Sequence, residues 1–232
     1  MKDYLLFIDT EASGLPKKWN LPYDAKGNWP NSVQISWIIY TQDGQYVKEE
    51  DHYIKDDDFA ISDSAIKIHG ITRDFLQANG ECRKEIMELL AKDVSQFQPL
   101  VVGHFMEFDQ HMIGADFYRT GIENPIKKED TFCTMVGTRQ LVKNPAMDFL
   151  RLDDLYEMIF DKPFNNPHNA IADAKATAAC FFELCKRGQI TDETIKKQQE
   201  EIYKKDNLPE RKRCALLLLS IISFTILILY LL

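Results

Sequence analysis

The sequence predicts an α/β protein, a mixed sheet flanked by helices and followed by a C-terminal transmembrane helix. Three observations carry this. Residues 4–8 are an unbroken apolar run that ends on the pair Asp9-x-Glu11, the pattern of a buried strand. Two β-rich stretches, 33–40 and 46–54, flank Asp43-Gly44, a hairpin signal, and helical and extended patterns then alternate along the chain. The last nineteen residues, 214–232, carry no charge at all.

Taken in order, the first strand runs into a stretch with three prolines and a glycine between residues 16 and 31, which forbids regular structure and predicts a loop. Its aromatics Trp19, Tyr23 and Trp29 are able to stack on bases or to pin the loop to the core. Ser62-Asp63-Ser64-Ala65-Ile66 reads as a capped short helix, followed by Ile68-His69-Gly70-Ile71-Thr72. Residues 82–97 have helical spacing through Ile86, Leu89, Leu90 and Val94, with Pro99 beyond the end. Leu100-Val101-Val102 is a short buried strand, 107–119 a second amphipathic helix and 130–133 a further strand. Helices are expected over 152–160, over 167–186 with Gly188 as the stop, and over 191–205 as a charged surface helix.

The 232 residues and an apolar fraction of 45% are enough for one sizeable core. A net charge of −8 argues against a general cationic binder of nucleic acid, although it is unevenly spread. Residues 196–213 are net basic, so the body of the chain is more acidic still. Five cysteines without a Cys-x-x-Cys pair fit reduced thiols in a cytosolic compartment, and Lys2-Asp3 opens directly into a strand rather than a signal peptide.

Side chains alternate along a strand, so Asp9 and Glu11 leave one face while Thr10 points away. Two like charges this close repel, and burial makes the repulsion worse unless a cation sits between them. An isolated Asp-x-Glu at an exposed strand end needs no cation, so further ligands decide the matter. Asp109 falls in the first turn of the helix after strand 100–102. Asp173 lies on a helix face that is otherwise small and apolar around Ala170, Ala172, Ala174 and Ala176, with His168 five residues earlier near the helix start. Taken singly, both acids also read as ordinary helix N-terminal or solvated charges.

Together, Asp9-x-Glu11, Asp109 and His168-x4-Asp173, in this order, resemble the DEDDh 3′–5′ exonucleases, the ribonuclease H-like group of proofreading subunits and ribonuclease T-type enzymes. The resemblance covers roughly residues 3–187 and includes Ile68-His69-Gly70-Ile71-Thr72. It implies a ribonuclease H-like sheet and two Mg²⁺ ions, replaceable by Mn²⁺, that together activate water, neutralise phosphate charge and help the leaving oxygen. By the resemblance, Asp9 bridges both ions, Glu11 and Asp173 hold the one carrying the nucleophile, and Asp109 fixes the other through water. His168 is then the general base, while His69, Gly70 and the backbone of Ala12 lie against the terminal nucleotide. Two positions depart from the family pattern: Phe105 stands where Asn is usual and Ala12 where Thr is usual. Neither is a metal ligand, so the departures bear on substrate positioning.

The expected activity is hydrolysis of phosphodiester bonds at single-stranded 3′ ends, with DNA favoured. An exoribonuclease trimming RNA, or an idle nucleic-acid-binding module tethered to a membrane, is the alternative, and a polymerase partner is left open. At 1.5 Å per residue, 214–232 spans roughly 28 Å as a helix, the thickness of a bilayer core. Arg211-Lys212-Arg213 precedes it, and the positive-inside bias then places the preceding domain in the cytoplasm. The expected organisation is an exonuclease domain over 1–190, a charged helix and basic linker over 191–213 and a membrane anchor over 214–232.

Overall fold

The computed structural model describes residues 1–55 and 59–206. At its centre is a five-stranded mixed sheet in the order β3-β2-β1-β4-β5. Strand β1 (Tyr4–Ala12) pairs antiparallel with β2 (Ser32–Thr41), which pairs antiparallel with β3 (Tyr46–Tyr53). Two short helices, α1 (Asp63–His69) and α2 (Arg73–Asn79), and the longer α3 (Arg83–Phe97) carry the chain across the sheet. Strand β4 (Leu100–Gly103) then lies parallel to β1 on its other side. Helix α4 (Met106–Thr120) leads to β5 (Thr131–Cys133), parallel to β4. A single turn, α5 (Thr134–Gly137), follows, then α6 (Leu152–Phe160), α7 (Ala170–Lys186) and α8 (Asp192–Asp206).

Both faces of β1 are covered, which explains why its first half reads as continuous apolar sequence. Leu5 and Phe7 enter one core with Leu155 and Ile159 of α6 and Ala174, Ala178, Phe181 and Leu184 of α7. Leu6 and Ile8 enter the other with Ile86, Leu90 and Val94 of α3 and Ile113 and Phe117 of α4. Alanines on the inner side of α7 bring that helix close to the sheet. Asp9 and Glu11 continue the row of Leu5 and Phe7 and so emerge on the α7 side, at a register shift between Glu11 and Ala12 that re-aims the strand end.

The short helix at 62–66 is α1, capped by Ser62, whose side chain accepts from the Ala65 amide. Helix α2 was not legible, because it is only seven residues long and has one buried residue, Leu76. The helix expected from residue 167 begins at Ala170, since His168 has a left-handed backbone (φ 61°) and Asn169 is the cap. The charged helix at 191–205 is α8, and it is docked. Ile195 enters the core, the Cys133 amide donates to Gln198 Oε1 (2.6 Å), and Gln198 Nε2 donates to the Cys133 carbonyl (3.2 Å).

The expectation of a transmembrane helix, and of a membrane-anchored domain facing the cytoplasm, is corrected. No helix among the described residues is long and apolar enough to cross a membrane. The longest, α7, has 17 residues and carries Asp173, Lys175, Glu183 and Lys186, and α8 is charged along its whole length. Segment 214–232, on which that expectation rested, lies outside the described residues.

Phe7 is the pivot of the α7-side core, with Tyr40, Phe181 and Phe182 all ring to ring against it at 5.5–5.9 Å. Phe7→Ala is expected to cost about 3–5 kcal/mol, lowering Tm by about 6–20 °C at this chain length. The urea midpoint should fall with little change in slope, and a loss below about 1 kcal/mol would show that this core is able to collapse around the cavity.

Candidate active site

Four acids from three elements meet at the C-terminal end of β1. Asp9 and Glu11 come from β1 itself. Asp109 comes from the first turn of α4, close to the end of β4 because Gly103 lacks a side chain: a Cβ there would lie 2.9 Å from Met106 Sδ and 3.4 Å from Asp109 Oδ2. Asp173 comes from the first turn of α7. A cavity of about 210 Å³ is lined by all four together with His168, Phe105, Phe108 and Arg151. The sequence-predicted metal ligands and the histidine are therefore brought together.

Two of the acids are held by hydrogen bonds, and the helix that carries one of them is tied to the sheet. Thr10, on the opposite face of β1 from Asp9 and Glu11, donates its hydroxyl to Asp109 Oδ1 at 2.8 Å in a buried bond. Gln34, fully buried beside Glu11 in the β1–β2 register, accepts from the Ala170 amide (3.1 Å) and donates to Asp51 (2.7 Å). It thereby locks the start of α7 against the sheet. Asn169 accepts from the Ala172 amide, and the His168 amide donates to Asp173 Oδ2 at 3.2 Å. The other oxygen, Asp173 Oδ1, is buried with no hydrogen-bond partner. One ligand atom from each of Glu11, His168 and Asp173 lies within 4.8 Å of the others.

Burial pushes all four acids up. The Asp9 carboxyl is driven well above its ordinary range by desolvation and then by the charges of Asp109, Asp173 and Glu11. Glu11 rises to about 8 through desolvation and the charges of Asp173 and Asp109. Asp109 and Asp173 rise to about 7, desolvation again leading. Among the described residues no lysine or arginine pairs with any of the four; Arg151, which lines the cavity, is bonded to Asp153 at 3.2 Å. A cluster of buried and half-buried acids without basic partners, one with an orphaned buried oxygen, fits hard divalent cations.

Three of the five histidines, His168, His69 and His104, lie at or near the cleft, and they differ. His168 is half-buried, and burial together with the Arg151 charge lowers its pKa from 6.5. His69 accepts from the Ile71 amide at Nδ1 (2.9 Å), so its Nε2 carries the proton and donates to the Ala12 carbonyl (3.2 Å). His69, Gly70 and Ala12 thus adjoin one another beside the cleft, with Gly70 ending α1 at φ 73°. His104 is buried, donates to the Leu150 carbonyl and is pushed down to about 4 by desolvation, so it is a neutral strut.

Thr10, Gln34, Asn169 and Arg151 were missed in the sequence. A buried glutamine in the apolar run 33–40 and an Asx cap before Ala170 were the available signals. Phe105 caps α4 with a left-handed backbone (φ 94°, ψ 47°), a conformation that costs a bulky residue on the order of 1–3 kcal/mol. Asparagine, usual here in the family that the motifs resemble, adopts it far more readily. Of the loop aromatics, Trp29 is buried, donates to the Leu21 and Pro22 carbonyls (3.1 Å each) and stacks on His111 at 4.6 Å. Tyr23 bonds the same histidine at 3.3 Å. These two pin the loop, and Trp19 joins them edge-on to Trp29 and His111 while also reaching Phe105 and Phe108.

A family model described as Exonuclease, of the RNase T type, matches residues 6–181. No curated protein matches the chain in sequence. The fold is similar to that of E. coli exonuclease I in complex with a dT13 oligonucleotide, with TM-score 0.64 and 20% identity over 80% of this chain and 41% of that one. The complex of the same protein with dA16 gives 0.66 and 19%, over 93% and 46%. The zinc ion-bound form of its complex with single-stranded DNA gives 0.64 and 19%, over 81% and 41%. The chain therefore spans less than half the length of these exonuclease I chains, and at such identity the likeness is one of fold.

The electrostatics set a pH dependence of stability. Between roughly pH 4 and 8 the folded chain holds protons on these acids that the unfolded chain has released, so without cations stability falls as the pH rises through that window. The lowered histidines act in the opposite direction, so the comparison that isolates the acids is wild type against Asp173→Asn. In chelator at pH 8 the variant should melt higher by about 2–4 °C for each kcal/mol of repulsion removed, and the gap should close towards pH 5. A variant that melts lower than wild type at pH 8 would show that the cluster is not under repulsion.

Proposed function

Since the chain belongs to the exonuclease family whose model spans residues 6–181, we propose that it is a divalent-metal-dependent 3′–5′ exonuclease that removes nucleoside monophosphates from single-stranded DNA ends. One observation carries this: four acids, two buried (Glu11, Asp109) and two half-buried (Asp9, Asp173), converge from β1, α4 and α7 without a basic partner among the described residues, beside a half-buried histidine. The preference for DNA is supported by the oligonucleotides dT13 and dA16 held by the similar exonuclease I structures.

Asp9, Glu11, Asp109 and Asp173 would hold two ions, Mg²⁺ with Mn²⁺ as substitute, because an all-carboxylate oxygen set suits hard cations. Such ions, when bound, lower the pKa of a water and neutralise the charge that builds on the phosphate. The residues do the rest. His168 is neutral at pH 7, since its pKa is held below 6.5, and is placed within 4.8 Å of Glu11 and Asp173 to take a proton from water. As water oxygen bonds to phosphorus, the bond from phosphorus to the 3′ oxygen of the penultimate nucleotide breaks, leaving a 3′ hydroxyl on the strand and a 5′ monophosphate. Ala12, His69 and Gly70 would lie against the departing nucleotide. The bond from His69 Nε2 to the Ala12 carbonyl fixes the strand end in place. Thr10 and Gln34 act as positioning residues, holding Asp109 and the start of α7.

Asp9→Asn and Asp173→Asn should fold and yet lose turnover by orders of magnitude on 5′-labelled single-stranded DNA in Mg²⁺, and chelator should do the same to wild type. Near wild-type rates in either variant, in metal-replete buffer, would sink the mechanism. Running RNA beside DNA separates the exoribonuclease alternative.

His168→Ala should be slower by about 10²–10⁴ while still binding cations, as read by the metal-induced rise in Tm. The acidic limb of the wild-type pH–rate profile should disappear in this variant. An unchanged limb would remove His168 from the proton transfer.

A further inference from the structure

Phe105 divides two cavities. On one side is the catalytic cleft of about 210 Å³, and on the other a second cavity of about 430 Å³ between α4, β5 and α8 that includes Gln110, Asn124 and Lys127. The Phe105 ring lies nearly parallel to that of Phe108 (25°, centroids 5.9 Å apart), and Trp19 stands 5.9 Å from Phe105 and 6.1 Å from Phe108. All three residues are half-buried, so part of each is accessible to solvent. Trp19 packs edge-on against Trp29 (6.5 Å) and His111 (5.9 Å), which fixes it beside Phe105. The backbone of Phe105 is strained, and its ring sits at the rim of the cleft rather than in either core.

Resting on the exonuclease reading above, we propose that Trp19 and Phe105 form a stacking platform for nucleobases of the strand upstream of the cleaved nucleotide. Bases present apolar π faces of any sequence, and half-exposed aromatic rings beside a polar groove are what holds them. Direction follows from the chemistry. The terminal nucleotide lies towards Ala12, His69 and Gly70, so the penultimate one, which owns the leaving 3′ oxygen, lies towards Asp109 and the ring next to it. A strand continuing from there crosses Phe105 towards the second cavity, where Lys127 offers a charge for phosphate. This is a specificity element peculiar to the phenylalanine at position 105, because asparagine there has no face to offer.

The test compares a dT12 strand with the same strand carrying an abasic residue at the second or third position from its 3′ end. Binding is measured in Mg²⁺ in the Asp173→Asn background, where the strand is not consumed, and KM and kcat in the parent chain. With the platform intact, loss of the base should weaken binding about 5- to 100-fold, the range expected for one aromatic stack. Adding Phe105→Asn, which relieves the backbone, or Trp19→Ala, on a different element, should weaken intact dT12 by a similar factor and remove the distinction between the two strands. The loss should fall on Kd and KM. If either variant still distinguishes intact from abasic strand as sharply as its parent, or the parent never does, the platform is wrong. If the parent binds with this discrimination but trims no end, the platform stands and the exonuclease reading falls.

Discussion

Mutual repulsion among Asp9, Glu11, Asp109 and Asp173 is the constraint to which the surrounding structure answers. Acids in a desolvated cleft would turn outward to water if their backbones allowed it. They are prevented from doing so by a central strand packed on both faces, a helix start tied to the sheet through Gln34, and the hydroxyl of Thr10 holding Asp109. Thr10 shows how economical the arrangement is. The alternation that sends Asp9 and Glu11 to the α7 side sends the residue between them to meet the acid from α4.

Much of this was legible in the sequence because it lies in regular elements. The run 4–8, the meander of three strands, and the helices over 82–97 and 152–160 follow from apolar periodicity; Asp9 and Glu11 sit at the end of that first strand, and Asp109 and Asp173 in the first turns of α4 and α7. What was not legible depends on backbone detail or on partners distant in sequence. Gln34 acts on Ala170 across 136 positions, and no local pattern encodes that bond. Helix α7 was read three residues too long because Pro167 resembles a helix-opening proline, whereas the chain turns left-handed at Asn166 and His168 before the helix begins. The charge of α8 suggested a free surface helix, but one isoleucine and one glutamine suffice to dock it.

Strain is concentrated at the site. Of the five non-glycine residues with positive φ among the described residues, Phe105, Asn166 and His168 border the cleft or its approach, and the remaining two, Gln98 and Asp161, end helices in the ordinary way. Such conformations persist only where packing over-determines them. The aromatic group around Phe105 and the bond from the His168 amide to Asp173 supply that restraint. Rigidity gained this way is of use to a reaction that needs a histidine and several carboxylates in fixed relation.

The two ends of the sheet have different fates. An open edge strand is a template on which another chain can pair, and sheets that cannot hide their edges tend to aggregate. At one end, β3 carries Lys48, Glu49, Glu50 and Asp51 in succession, a row of charge that disfavours a further strand. At the other, β5 is short and nearly neutral. There Gln198 presents its side-chain amide to both the N–H and the C=O of Cys133, as the backbone of a neighbouring strand would do. Helix α8 is therefore a stopper on the growing edge of the sheet, and a chain cut before it would carry an unsatisfied β5 into every encounter with its own copies.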